Sequence, residues 1–136
     1  MWIKKLEIEY VEVNDEPKHK EVYSNKYVRI YQAILKPGET TQFHRHQLDT
    51  MYLVISGGSI RTENSSKFKR YPIHFPKPIG IIQMVKMLWG KWILGSIYMP
   101  DGFVFFLTHK KNPCIHRAIA SDTNRKDMVL MGFEMK

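Results

Sequence analysis

The chain has 136 residues, of which 43% are hydrophobic and 25% charged, with one cysteine and a formal net charge of +8. A single cysteine excludes an internal disulfide framework, and no apolar run approaches the ~20 residues that a membrane-spanning helix requires. No N-terminal run has the form of a signal peptide. We therefore expect one cytoplasmic domain that buries its own core and does not bind a membrane.

The excess of positive over negative charge is confined to the second half of the chain. Residues 1–64 hold nine Lys or Arg and nine Asp or Glu, whereas residues 65–136 hold twelve and four. No helix-turn-helix, zinc-finger or RNA-recognition signature accompanies this basic half, so nucleic acid is not the expected partner. The basic half is either a solvated surface or a region that attracts a small anionic molecule.

Short strands separated by turns that contain Gly or Pro are predicted along most of the chain. Residues 2–13 alternate apolar and charged side chains, which predicts an edge strand, and residues 14–20 predict a polar turn. Residues 51–56 predict a doubly buried strand, with residues 59–63 as its hairpin partner. Further strands are predicted over residues 27–35, 42–46, 103–107, 116–119 and 128–135. Many short strands with little helical periodicity indicate an all-β barrel.

Residues 64–100 do not fit this pattern. Pro72, Pro76 and Pro78 bar a regular central strand or helix there, and the apolar part that follows could form an extra strand pair or a short helix. Exposed apolar side chains in this segment, such as Trp89, need a partner surface. We expect the segment to cover one mouth of the barrel or to form the contact of a homodimer.

His44 and His46 are the first candidate metal ligands. Side chains two residues apart on a strand point to the same face, so both imidazoles could bind one ion. His116 lies far downstream among strand-like residues, and a third histidine from a distant strand would complete a metal site. The alternative is a pair of solvated histidines beside Arg45.

The spacing around these histidines resembles the first signature motif of the cupin family. Gly38, five residues, His44, one residue, His46, three residues, Thr50, six residues and Gly57 reproduce that spacing. The family normally has a glutamate where this chain has Thr50. Because the spacing of all the other motif positions matches, this half of the resemblance is specific.

The second cupin motif resembles residues 113–120, with His116 at the position of the last metal-binding histidine. Pro113 stands where the family usually has a glycine, and Ala120 stands where it often has an asparagine. The resemblance covers residues 27–60 and 102–134. It implies an all-β, double-stranded β-helix (jelly-roll) barrel with residues 64–100 inserted between the two motifs.

The resemblance also implies a metal. With Thr50 in place of the glutamate, the expected ligands are three neutral imidazoles, from His44, His46 and His116. Such a set resembles the thiol dioxygenase branch of cupins, which favours one iron(II) ion, although zinc, nickel or copper would also fit. The implied function is a small metal-dependent enzyme acting on a small anionic metabolite, by dioxygenation or by isomerase or lyase chemistry. The alternative is a non-catalytic module that binds a metal or a metabolite.

Four residues are candidates for contacts around the ion or its substrate. Gln42 and Thr50 share strand parity with the two histidines, so their side chains are expected to point inward. Asp49 is the only carboxylate nearby, but its parity directs it outward, where it fits a surface role. Arg117 adjoins His116 with the opposite parity, so it should point outward or bond the neighbouring strand.

Two further residues are candidates for a catalytic role. Cys114 shares parity with His116, so its thiolate could bind the ion or be oxidised, although a lone strand cysteine is commonly a small buried hydrophobe. His109 lies near a predicted strand end, where it could act as a general base. A surface or capping role is the alternative for His109.

Overall fold

A computed structural model describes residues 8–64, 73–74, 80–82, 85, 95–111 and 113–136. These residues form strands and a short 3-10 helix, Val13–Asp15, and Ile81, Ile82 and Val85 are α-helical, as the short-helix alternative for this part of the chain predicted. The strands are β1 (Val11–Glu12), β2 (His19–Ser24), β3 (Val28–Leu35), β4 (His44–His46), β5 (Thr50–Ser56), β6 (Gly58–Asn64), β7 (Ile73–His74), β8 (Ile97–Met99), β9 (Val104–Leu107), β10 (Cys114–Ala120) and β11 (Met128–Met135). No helix among the described residues is long and apolar enough to cross a membrane.

The strands form two sheets that face each other. The first sheet has the order β1-β4-β10-β6-β8, and the second has the order β2-β3-β11-β5-β9-β7. The core between them takes Ile60 and Ala120 from the first sheet and Tyr31, Val54 and Met128 from the second. This arrangement is all-β, as the strand pattern predicted, and it is the jelly roll that the resemblance to cupins implied.

The central strands of the second sheet alternate between buried and more exposed residues. In β3, Arg29, Tyr31, Ala33 and Leu35 are buried, while the residues between them are not. The ring of Tyr31 packs directly over Gly132 in β11, where a Cβ atom would lie 2.3 Å from Tyr31 Cζ. A two-residue period therefore directs one face of the sheet into the interior, and the absence of a side chain at Gly132 makes room for the tyrosine.

Two predictions about the middle of the chain are wrong. The strand β5 is buried on one face only, since Ile55 on its other face is 51% exposed. It also does not pair with β6, because its two edges are occupied by β11 and β9. The chain instead crosses to the other sheet at Gly57, where a Cβ atom would lie 2.0 Å from the carbonyl oxygen of Met99. Only glycine fits this crossing, which a hairpin pattern does not reveal.

A turn that contains proline and glycine, of the kind predicted between the strands, follows β3 at residues 36–39. Gly38 has φ +80, and the Glu39 N–H donates a hydrogen bond to the Lys36 carbonyl at 3.0 Å. Proline in the second position and glycine in the third suit such a turn, because proline holds a negative φ and glycine accepts a positive one.

The N-terminal predictions are correct only in part. The described strand there is β1, which pairs in parallel with β4, and residues 1–7 lie outside the described residues. The polar turn was predicted to run to residue 20, but His19 already begins β2 and is paired with Ala33. The pairing with β3 extends the strand over residues whose local sequence is polar.

Parts of residues 64–100 form edge strands. In this segment β7 pairs with β9 of the second sheet, and β8 pairs with β6 of the first. Ile81 and Ile82 are 79% and 75% exposed. The three prolines and Trp89 lie outside the described residues, so the expected mouth cover or dimer contact stays a prediction.

Candidate metal centre

Two neighbouring strands of the first sheet place three histidines and a cysteine on one face. His44 and His46 in β4 are 1% and 2% exposed. In β10, His116 lies directly opposite His44, and Cys114 lies directly opposite His46. Because side chains alternate along both strands, this register directs all four into the interior.

The three imidazoles of His44, His46 and His116 form a compact triangle. Their ring centroids lie 4.7–4.9 Å apart. The Nε2 atoms of His46 and His116 are 3.0 Å apart. Two nitrogens bound at right angles to one ion with bonds of ~2.1 Å would have about this separation.

The hydrogen bonds of His44 identify the nitrogen that is free to bind an ion. Its Nδ1 atom lies 2.8 Å from the Gln42 carbonyl oxygen. A carbonyl only accepts, so Nδ1 carries the proton, and Nε2 of the neutral ring keeps its lone pair. Nε2 of His44 and Nδ1 of His46 are buried and have no hydrogen-bond partner among the described residues. Buried polar atoms without partners are costly, and an ion held by these rings would remove part of that cost. The donor set therefore fits a metal.

All three imidazoles are held in the neutral form that binds metals. Burial lowers the pKa of His44 to about 4, with a further contribution from His19. Burial and then the neighbouring imidazoles hold the pKa values of His46 and His116 well below the usual range. At neutral pH no proton needs to leave these rings before an ion binds.

A fourth imidazole, which the sequence interpretation missed, approaches from the second sheet. The ring of His19 lies 4.5 Å from that of His44 and 6.0 Å from that of His46, centroid to centroid. One donor nitrogen from each of the three lies within 4.8 Å of the others. The local sequence gave one possible signal, a glutamate three residues before His19, at Glu16. It did not predict a strand at residue 19, nor that this strand packs on the histidine motif.

His109 completes the cluster from the turn after β9. It is 1% exposed, and its ring stacks on that of His46 at 4.9 Å. Its Nε2 atom lies 3.4 Å from the Tyr52 hydroxyl. The carboxylate of Asp49 accepts a hydrogen bond from the Lys110 N–H at 3.0 Å and so holds the turn that carries His109. Asp49 therefore stabilises this turn.

Of the two residues predicted to point inward, Thr50 is buried and Gln42 is exposed. The prediction that the Gln42 side chain points inward is wrong, since Gln42 is exposed and contacts His44 only through its backbone carbonyl. Thr41 is buried instead, and its Oγ1 accepts a hydrogen bond from the Ala118 N–H at 2.9 Å. The parity argument fails here because β4 begins at His44, so residue 42 precedes the strand. Thr50 is fully buried, as expected, and its hydroxyl donates to the Leu48 carbonyl at 2.8 Å.

Arg117 bonds the neighbouring strand. Its Nε atom donates to Glu63 Oε2 in β6 at 2.8 Å, and its guanidinium lies 4.8 Å from the ring centre of Phe43. These contacts place Arg117 away from the imidazole triangle. Cys114, in contrast, is 4% exposed and faces the interior.

Four of the histidines line one part of a cavity of about 640 Å³ between the sheets, namely His19, His44, His46 and His116. Most of its remaining lining is apolar, and Arg61 is its one charged lining residue among those described. The apolar lining includes Leu35, Ile60, Met99, Phe105 and Leu130. A cavity of this size holds a small organic molecule beside a bound ion.

Comparison with known proteins identifies the fold. No protein-family model and no curated protein matches the sequence. The structure resembles a cupin domain from Bordetella pertussis Tohama I, with a TM-score of 0.53 and 16% identity over 87% of this chain and 91% of that chain. It also resembles a conserved protein with a double-stranded β-helix domain from Klebsiella pneumoniae subsp. pneumoniae MGH 78578, with a TM-score of 0.50 and 15% identity over 90% of this chain and 74% of that chain. The predicted cupin fold is confirmed.

Proposed function

We propose that this protein is a metal-dependent cupin enzyme that binds one divalent ion through His44, His46 and His116 and acts on a small anionic metabolite. The observation that carries the proposal is the buried Nε2 lone pair of His44, which has no hydrogen-bond partner among the described residues and belongs to a ring that lines the cavity. Iron(II) is the ion that we favour, in a dioxygenase-type reaction, and zinc, nickel or copper would suit the same nitrogens.

The ion would supply a Lewis acid and a template for the substrate. The chain itself orients a ligand, because the Gln42 carbonyl sets the tautomer of His44, and it surrounds the ion with a mostly apolar lining. His109 and Cys114 are the residues that we propose for catalytic roles. His109 is positioned by its stack on His46 and could exchange a proton with a substrate, whereas the Cys114 thiol faces the same interior.

The charge of the site favours an anionic substrate. Three neutral imidazoles bring no negative charge of their own to a divalent ion, so a carboxylate on the substrate would bind it directly. Arg61 adds a positive charge to the lining of the cavity. We expect added salt to weaken the binding of a carboxylate-bearing ligand, and equal binding of neutral analogues at all salt concentrations would contradict this.

A non-catalytic module that holds a metal or a metabolite is the second candidate. It is favoured by the lining of the cavity, which among the described residues offers no carboxylate beside the histidines. Metal binding without turnover of any small acid would support it.

We further propose that the protein acts in the cytoplasm as a homodimer. The outward face of the second sheet carries apolar side chains, including Ile34 and Ile55, which are 40% and 51% exposed. A second copy could cover this face. A reducing compartment suits a chain with one cysteine, which cannot form a disulfide within the chain. A single mass at the monomer value in light scattering would contradict the dimer.

The experiment that tests the metal centre is elemental analysis of natively purified protein. We expect about one transition-metal ion per chain, and a sharp loss of metal in His44→Ala, His46→Ala and His116→Ala. Gln47→Ala is the matched control, because Gln47 is exposed and adjoins His46. Full metal occupancy in His116→Ala would contradict the proposed ligand set. Anaerobic reconstitution with iron(II) and an oxygen-uptake screen of small acids then separates the two functions.

A further inference from the structure

We infer that His19 is a fourth imidazole ligand of the ion and that the buried carboxylate of Glu16 positions both His19 and His44. This inference rests on the proposed metal centre. His19 lies in β2, outside the two histidine motifs.

His19 reaches the centre from the sheet opposite β4 and β10. Its side chain is 8% exposed and lines the same cavity as the other three histidines. Its ring centroid is 4.5 Å from that of His44, which is shorter than the 4.7–4.9 Å within the triangle of His44, His46 and His116. His19 is thus as close to His44 as the motif histidines are to one another, and its ring centroid lies 6.0 Å from that of His46.

Glu16 determines which nitrogen of His19 faces the cluster. Glu16 is 2% exposed, and its Oε2 atom lies 2.5 Å from His19 Nδ1. An ionised carboxylate only accepts hydrogen bonds, so Nδ1 is the donor, and Nε2 is the nitrogen left to bind the ion. Burial raises the pKa of Glu16, but the hydrogen bonds from His19, Gln42 and Lys18 outweigh this effect and leave the pKa below its usual value. Glu16 is therefore ionised at neutral pH.

The same carboxylate also supports His44. Its Oε1 atom accepts a hydrogen bond from the Gln42 N–H at 3.1 Å, while the Gln42 carbonyl accepts from His44 Nδ1 at 2.8 Å. The backbone of one residue thus connects Glu16 to His44. A third hydrogen bond, from the Lys18 N–H at 2.8 Å, fixes the carboxylate itself. Glu16 therefore sets the tautomer of His19 directly and supports that of His44 through Gln42.

Glu16 supplies, near the metal centre, the negative charge of a carboxylate that the motif lacks. The motif position held by Thr50 carries no carboxylate, and the Thr50 hydroxyl donates to the Leu48 carbonyl. A carboxylate behind a ligating imidazole makes that imidazole a stronger donor. Glu16 thus provides a negative charge on the far side of the His19 ring, and the ion has four imidazoles rather than three.

X-ray absorption of the zinc-loaded full chain tests the ligand count. We expect four imidazoles in the natural protein and three in His19→Gln, with a zinc affinity lowered at least about 10-fold, because loss of a ligand costs no less than loss of the partner behind it. Glu21→Gln, on the same strand and exposed, is the matched control and should leave both values unchanged. Four imidazoles that persist in His19→Gln would overturn the inference.

Glu16→Gln tests the positioning role. The side-chain amide that this substitution introduces can donate to His19 Nδ1, which would move the imidazole proton to Nε2 and block the ligand. We expect the ¹⁵N spectrum of the metal-free variant to show this change of tautomer, and zinc affinity to fall about 10–100-fold. A purely structural role would lower the melting temperature without moving the proton. An unchanged tautomer would overturn the role of Glu16.

The outcomes separate this inference from the proposed function. If the natural protein binds zinc through three imidazoles, and His44→Ala and His116→Ala abolish binding while His19→Gln does not, the proposed centre stands and the inference is overturned. If the natural protein binds no zinc, cobalt or iron(II), both are overturned. The spectra of the natural protein decide the ligand count even if a variant fails to fold.

Discussion

A buried ion pair between β3 and β11 allows a test of how buried charges affect the stability of the fold. The Arg29 guanidinium in β3 makes two hydrogen bonds to Glu134 in β11, at 3.1 Å from Nε and 2.8 Å from Nη2. Both side chains are 5% exposed, and the two residues are directly paired in the sheet. The guanidinium also lies 5.1 Å from the ring centre of Tyr31, which borders the cavity. Replacing Glu134 with Ala would leave this cation unpaired in the interior.

The size of the effect follows from burial. Removing one partner of a buried pair costs about 3–5 kcal/mol, because the remaining charge loses both its counter-ion and its hydrogen bonds. Replacing both partners with apolar residues removes the uncompensated charge. We therefore expect Glu134→Ala to lower the free energy of unfolding by about 3–5 kcal/mol, and the double variant Arg29→Met with Glu134→Leu to recover most of that loss.

Urea unfolding of the two variants, followed by fluorescence and circular dichroism, measures these free energies. Lys126→Ala is the matched control, since Lys126 pairs with Asp101 at 2.9 Å but both side chains are more than half exposed, so little change is expected. A Glu134→Ala variant as stable as Lys126→Ala would refute the reasoning. So would a double variant that is less stable than the single one.

The remaining predictions concern packing, protonation and the thiol. Gly132→Ala should destabilise the protein by about 1–3 kcal/mol in urea unfolding, because the new Cβ atom would lie 2.3 Å from Tyr31 Cζ; an unchanged midpoint would contradict this. In the metal-free protein, burial lowers the pKa of His44 to about 4, so the neutral ring contributes fully to the free energy of unfolding above pH ~6.5. This contribution, on the order of 3 kcal/mol, is lost as the pH falls towards 4, and a free energy of unfolding that stays constant over this range would refute it. Cys114 is 4% exposed and lines the cavity, so it should react faster with a small thiol reagent than with one too bulky for the cavity, and equal rates would be the contrary result.

Strand positions and the first histidine motif were predictable because both are local. Side chains alternate every two residues on a strand, so the sequence alone places His44 and His46 on one face and predicts β3 and β11 closely. The turn at Gly38 was equally readable, since a positive φ favours glycine wherever the turn lies. Parity failed at Gln42, because the regular strand begins two residues later.

Partners across the fold were decided by tertiary structure. The sequence determined that this chain is an all-β protein with His44, His46 and His116 as candidate ligands. Whether β5 pairs with β6, and whether His19 faces the other histidines, depends on contacts between strands that are distant in sequence. A polar segment such as residues 14–20 has no local pattern that records its packing partner. Only the pairing of β2 with β3 turns His19, and the Glu16 behind it, towards the candidate metal centre.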